Sequence, residues 1–127
     1  MSERVDYWLK AAEYDLETAQ AMLQTGRYLY VGFMCHQVVE KTLKACLAKK
    51  GQIPPRLHGL GRLAELASVY TQMSPFQRDL LDQLDPLNIQ ARYPEDREQL
   101  ASLLTAERCQ TLFDQTKELY QWITAKW

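Results

Sequence analysis

Residues 35–44, CHQVVEKTLK, decide the fold, because they place five polar side chains inside an otherwise apolar helical pattern. At 100° per residue, the apolar side chains around this segment cover an arc of about 180°, wider than the ~100° stripe of a surface helix. The polar side chains share one narrow edge; they are His36, Gln37, Glu40, Lys41 and Lys44. The pattern predicts a deeply buried helix over about residues 28–50 with one polar edge.

This polar edge has two interpretations. Spacings of four residues pair His36 with Glu40 and Glu40 with Lys44, and each pair contributes about 0.2–0.5 kcal/mol if the edge is solvated. His36 is then a boundary histidine hydrogen-bonded to Glu40. Phe33 and Leu47 fall on the same edge, however, which indicates that another subunit or the connection before the last helix covers it. A functional site on this edge is the second interpretation.

The rest of the chain predicts further helices and no strand. The expected ranges are about residues 5–23, 28–50, 60–70, 75–84 and 106–126, with an ordered connection over residues 86–104. Gly26 and Gly51 are placed to end the first two helices, and Ser74 and Gln77 form a capping box around an N1 proline. The predicted fold class is all-α, an up-and-down bundle of four to five helices, three long and two short, in one domain over residues 1–127.

Composition narrows the class of protein. A chain of 127 residues with a net charge of −1 has no overall basic field, so any nucleic-acid binding needs a local patch. The N-terminus lacks an apolar signal-peptide core, and the longest uncharged run, residues 28–39, is too short to span a membrane. Three cysteines without paired spacing predict reduced, buried thiols, hence a cytoplasmic protein with no metal site and no cofactor.

The stretch ARYPEDR, residues 91–97, carries candidate chemistry. Arg92 can bind phosphate with two N–H groups, and Tyr93 can stack on a base. The alternative is a proline-fixed turn in which Tyr93 packs into the bundle and the arginines pair with neighbouring acidic residues.

A second stretch, PPRLHGLGRL at residues 54–63, places His58 in a glycine-containing turn just before a helix. Free N–H groups at such a turn can bind an anion. The alternative is that His58 caps the helix or bonds a carbonyl in the connection.

The ordered set of these motifs resembles the HEPN domain family (higher eukaryotes and prokaryotes nucleotide-binding). The stretches that carry the resemblance are YWLKAAEYDLETAQAML at residues 7–23, GRYLYVGFMCH at 26–36, QVVEKTLKACL at 37–47, PRLHGL at 55–60 and RYP at 92–94. The resemblance implies a helical bundle of four or five helices that commonly forms homodimers. It also implies a partner, because stand-alone prokaryotic members are often encoded beside a minimal nucleotidyltransferase in toxin–antitoxin-like modules.

Several branches of this family are metal-independent ribonucleases with an Arg-x(4–6)-His motif, and the chain departs from that motif. His36 follows Arg27 by nine positions and His58 follows Arg56 by two. The catalytic candidates are therefore Arg92, to stabilise charge on the phosphorane, and His58 or His36, to transfer protons. Whether the protein is an enzyme stays open.

Three functions are consistent with these features. The first is a nucleotide- or RNA-binding partner of a nucleotidyltransferase, the second an endoribonuclease toxin, and the third a structural subunit that docks a partner. The candidate nucleotide- or RNA-binding residues are Arg92, Tyr93, His58, Lys41, Lys44 and Glu40. Phe33 and Leu47 on the polar edge, with Trp122 and Trp127 near the C-terminus, are the basis for expecting a homodimer.

Overall fold

The computed structural model describes residues 2–90 and 93–127, with Gln90 and Pro94 described by their backbone alone. This part of the chain contains six α-helices, a single 3-10 turn and no strand, so the all-α prediction is confirmed. The helices are α1 Glu3–Gln24, α2 Tyr28–Lys49, α3 Leu60–Leu66, α4 Pro75–Gln90, α5 Pro94–Leu103 and α6 Ala106–Thr124, and the 3-10 turn is Tyr70–Gln72.

Helix α2 lies at the centre of an up-and-down bundle. Fourteen of its 22 residues are buried, and it packs against all five other α-helices. Contacts along α2 show that α1 and α4 run antiparallel to it and that α6 runs parallel. The pairs that fix these directions are Trp8–Lys44 and Asp15–Lys41 for α1, Asp85–His36 and Leu87–Gly32 for α4, and Cys109–Tyr28 and Trp127–Lys49 for α6. The wide apolar arc of the sequence is thus explained by neighbours on several sides.

The helix ends follow the local signals in the sequence. Gly26 and Gly51 have φ angles of 76° and 79°, and the amides of the residues after them bond carbonyls five positions back, at Met22 and Leu47. This is the left-handed closure that glycine allows without strain. At the start of α4 the predicted capping box is confirmed, since the Ser74 hydroxyl accepts from the Gln77 amide at 3.1 Å and the Gln77 side chain accepts from the Ser74 amide at 2.9 Å.

The expected end of α4 before Pro86 is wrong, because the helix continues through the proline to Gln90. A proline inside a helix leaves the carbonyl four residues earlier without its N–H partner, and that residue, Asp82, is exposed to water. Beyond the proline, Leu87 and Asn88 are buried. Their burial offsets the cost of the missing hydrogen bond.

The ordered connection expected over residues 86–104 is helical over most of its length. Part of it is the end of α4, and α5 fills residues 94–103. Pro94 stands at the start of α5, and Glu95 and Asp96 lie in its first turn, where negative charge suits the helix dipole. Leu100 and Leu104 are buried, so α5 packs onto the bundle through a short apolar face.

Helix α3 is shorter than expected, since it ends at Leu66 rather than near Tyr70. Ser68 takes a left-handed conformation with φ 61°, and the Val69 amide bonds the Ala64 carbonyl at 3.0 Å. The same closure is usually made with glycine, and a serine in its place gives the sequence no visible stop signal.

All three cysteines are buried and unpaired, as expected for reduced thiols. Burial raises the pKa of Cys35 to about 12 and that of Cys109 to about 11, and it also raises the pKa of Cys46. Among the described helices, none combines the length and the apolar character needed to cross a membrane.

Candidate functional site

Three residues of the polar edge of α2 are buried, and they form one connected group with residues from two other segments. We call this group the Glu40 cluster; its members are His36, Glu40, Lys44, His58 and Asp85. Three of them come from α2, His58 comes from the α2–α3 connection, and Asp85 comes from α4. His36, Glu40 and Lys44 are 1%, 4% and 5% exposed. The interpretation of this edge as solvated is therefore wrong for these three residues.

Glu40 is the centre of the cluster. Its Oε2 accepts from Lys44 Nζ at 3.2 Å, and its Oε1 lies 3.1 Å from His58 Nδ1. Both carboxylate oxygens thus have partners, which is the condition for burying a charge without a large penalty. The ammonium group of Lys44 also lies over the ring of Trp8, 5.4 Å from its centroid.

His58 is the part of the cluster that solvent reaches, since its side chain is 65% exposed. In the neutral tautomer that donates Nδ1–H to Glu40, Nε2 carries the lone pair. An exposed imidazole held by a carboxylate through one ring nitrogen is the arrangement of a general base. The capping interpretation of His58 is wrong: α3 has no side-chain cap at Gly59, and the Leu60 amide donates to Asp85 Oδ1 at 3.1 Å.

His36 is a buried histidine, not a boundary one, and the expected hydrogen bond to Glu40 is wrong. Its Nδ1 lies 3.9 Å from Glu40 Oε1, too far for a hydrogen bond. Instead Nε2 lies 3.1 Å from Asp85 Oδ1, and Nδ1 lies 3.4 Å from Gln37 Oε1. With both nitrogens facing protein groups, His36 connects α2 to α4 inside the cluster.

Lys41 stands on the same edge of α2 but outside the cluster. Its ammonium group forms an ion pair with the buried carboxylate of Asp15 on α1. Asp15 belongs to the buried stripe of α1, between Ala12 and Ala19. The candidate binding residues Lys44 and Lys41 are therefore held by two different carboxylates.

The segment before α5 is described only in part. Tyr93 is 48% exposed, so the interpretation in which it packs into the bundle is wrong. Arg92, the main arginine candidate, lies outside the described residues.

Helix α4 packs closely on α2 near the cluster. A Cβ atom added to Gly32 would lie only 2.6 Å from Leu87 Cδ1. Gly32 precedes His36 by four residues, which is about 6 Å along the axis of α2.

Sequence reasoning missed Asp85 as a member of the site. The carboxylate falls on the inward side of α4, four residues after Leu81 and three before Asn88, both of which are buried. This spacing predicts that Asp85 faces inward only if the helix continues through Pro86. The sequence analysis ends the helix before Pro86, so this signal is lost.

The chain has counterparts among known proteins. The model of the HEPN domain family matches residues 5–127. The crystal structure of TT1696 from Thermus thermophilus superposes with a TM-score of 0.85 and 21% sequence identity, covering 99% of this chain and 100% of that one. At this identity the likeness shows a shared fold. No curated protein sequence matches the chain.

Proposed function

Because this chain belongs to the HEPN domain family, whose members are helical proteins that bind nucleotides or RNA or cleave RNA, we propose that it binds single-stranded RNA at the Glu40 cluster. We also propose that residues 1–127 form a single domain and that the protein works in the cytoplasm. Its binding residues are Arg92, Tyr93, His58, Lys44 and Glu40, with Lys41 supporting the same edge.

One observation supports this proposal above others. Both histidines of the chain and a buried lysine meet around two carboxylates contributed by α2 and α4. A bundle gains little stability from burying such a group, because its desolvation offsets most of the Coulombic attraction. The cluster holds His58 in one orientation at the surface, where a phosphate or a ribose hydroxyl can reach it.

The proposal assigns phosphate binding to Arg92 and base stacking to Tyr93. Support comes from the chemistry of the two side chains and from the exposure of Tyr93, which is 48% exposed and therefore accessible to a base.

We expect Arg92→Ala to weaken RNA binding by about tenfold. The loss of one charge-assisted contact to a phosphate costs about 1.4 kcal/mol of binding free energy, which corresponds to a tenfold higher dissociation constant. The measurement is fluorescence anisotropy with a short labelled single-stranded RNA, with ATP and GTP as competitors. Arg108→Ala is the matched control, since this exposed arginine stands in the first turn of α6, a helix that contributes no residue to the cluster. Equal binding by wild type and Arg92→Ala would remove Arg92 from the site.

Metal-independent RNA cleavage is a second candidate function, favoured by the His58–Glu40 pair. Cleavage needs a base for the 2′-hydroxyl proton, a proton for the 5′-oxygen that leaves, and positive charge beside the phosphorane. In this second proposal His58 Nε2 takes the 2′-hydroxyl proton, water protonates the leaving 5′-oxygen, and Arg92 supplies the charge. His36 is buried with both nitrogens engaged, so its role is to position Asp85 and the cluster.

We further propose that the protein forms a homodimer and works with a minimal nucleotidyltransferase in a two-gene, toxin–antitoxin-like module. Leu47 gives no support for a dimer, because its own chain leaves it 1% exposed. Ile89 and Leu103 are exposed apolar residues at the ends of α4 and α5, and these are available to a second copy.

Light scattering at micromolar concentration is expected to give twice the chain mass of 14.8 kDa. A mass of one chain would contradict the dimer. Co-purification with the nucleotidyltransferase, combined with no RNA binding by the isolated chain, would instead favour a purely structural docking subunit.

A further inference from the structure

A second feature adjoins the Glu40 cluster: an open cavity of about 790 Å³ between the first turns of α1 and the end of α2. Its walls include Tyr7 and Trp8 on one side and Ala48 on the other. The volume falls within the range of small-molecule pockets, roughly 300–1,000 Å³, and part of it lies at the open side of the cavity. A single base is smaller than this space.

Trp8 joins this cavity to the cluster. The indole lines the cavity, and the ammonium group of Lys44 lies over its ring, 5.4 Å from the centroid. Lys44 in turn bonds Glu40, which bonds His58. Trp8 therefore belongs to the wall of the cavity and also contacts the buried lysine of the cluster.

Tyr7 lines the cavity but is not part of the hydrophobic core. Tyr7 is 66% exposed, and its ring meets Trp8 edge-on, with centroids 5.3 Å apart and planes at 84°. Rings at right angles leave a face of Tyr7 open, and bases stack on such faces whatever their sequence.

We propose that this cavity is a base-stacking subsite in which an unpaired base of single-stranded RNA lies against Tyr7 and Trp8. The inference rests on the proposed function, which it extends by assigning a position to the base. Glu3 and Arg4 also line the cavity, so their charges balance and recognition depends on the aromatic faces.

The test compares Tyr7→Ala with Tyr14→Ala, a matched control on the same helix. Tyr14 is 70% exposed and does not line the cavity, and neither substitution removes a core side chain. The probe is a short labelled single-stranded RNA, and a second probe has the same backbone with abasic residues. Tyr7→Ala is expected to weaken binding of the normal RNA about fivefold or more, the lower end of the range for one base stacked on an aromatic side chain. Tyr14→Ala is expected to bind as wild type does, and the two variants should bind the abasic RNA equally.

The outcomes separate this inference from the proposed function. If wild type binds RNA and Arg92→Ala weakens binding while Tyr7→Ala matches Tyr14→Ala, the subsite is wrong and the RNA-binding function stands. An equal loss on normal and abasic RNA would also overturn the subsite, because the contact would then be to the backbone. If wild type binds neither probe, the subsite fails together with the proposed function.

Discussion

Glu40→Ala is expected to lower the free energy of unfolding by about 3–5 kcal/mol, the usual cost of removing one partner from a buried ion pair. The substitution leaves the Lys44 ammonium group buried, 5% exposed, without its carboxylate. It also removes the acceptor for His58 Nδ1. Urea unfolding followed by circular dichroism measures the change.

Two further variants decide whether the buried charge is the cause. Glu65→Ala removes a carboxylate whose pair with Arg62 is exposed, with a separation of 3.5 Å, and we expect a loss below about 1 kcal/mol. The double variant Glu40→Met with Lys44→Met replaces both charges by apolar side chains and is expected to recover most of the stability that Glu40→Ala loses. A loss for Glu40→Ala no larger than that for Glu65→Ala would show that the cluster is solvated in solution.

The second large effect is expected in RNA cleavage. His58→Gln should slow cleavage in the presence of EDTA by about 100-fold or more, since positioned general bases contribute roughly 10²–10⁴-fold. The fold should survive this change, because the His58 side chain is 65% exposed. The assay incubates purified protein with single-stranded RNA and follows the products by gel electrophoresis.

Lys117→Ala is the control, as this exposed lysine of α6 is remote in the chain from the cluster, and its cleavage rate should equal that of wild type. Cleavage by His58→Gln at the wild-type rate would exclude His58 as the base. Intact RNA after incubation with wild type would reject the ribonuclease function and leave the binding function in place.

The sequence predicts the fold well because hydrophobic spacing and capping are local signals. The central position of α2 follows from its wide apolar arc, and the ends at Gly26 and Gly51 follow from the need for a left-handed residue. The continuation of α4 past Pro86 cannot be predicted from local signals. Pro86 is a strong local stop signal, and the packing of Leu87 and Asn88 that overrides it depends on residues far away in the chain.

The candidate site is predicted less completely for the same reason. The i,i+4 spacing of Glu40 and Lys44 correctly gives their hydrogen bond, because both residues share one helix. The carboxylates that bond His36 and His58 come from positions 49 and 18 residues away, and no local pattern specifies them. The burial of the edge is likewise a tertiary property, set by α1, α3 and α4 as they close over α2.

The central claim, that RNA binds at the Glu40 cluster, is tested most directly by side-chain NMR of the two histidines during an RNA titration. The chain has only His36 and His58, so an untagged protein gives two imidazole spin systems, assigned with His58→Gln. Addition of a short single-stranded RNA should shift the exposed His58 signals most strongly, with a smaller change at His36 transmitted through the cluster. Saturating RNA that shifts amide signals elsewhere and leaves both imidazoles unchanged would contradict the account.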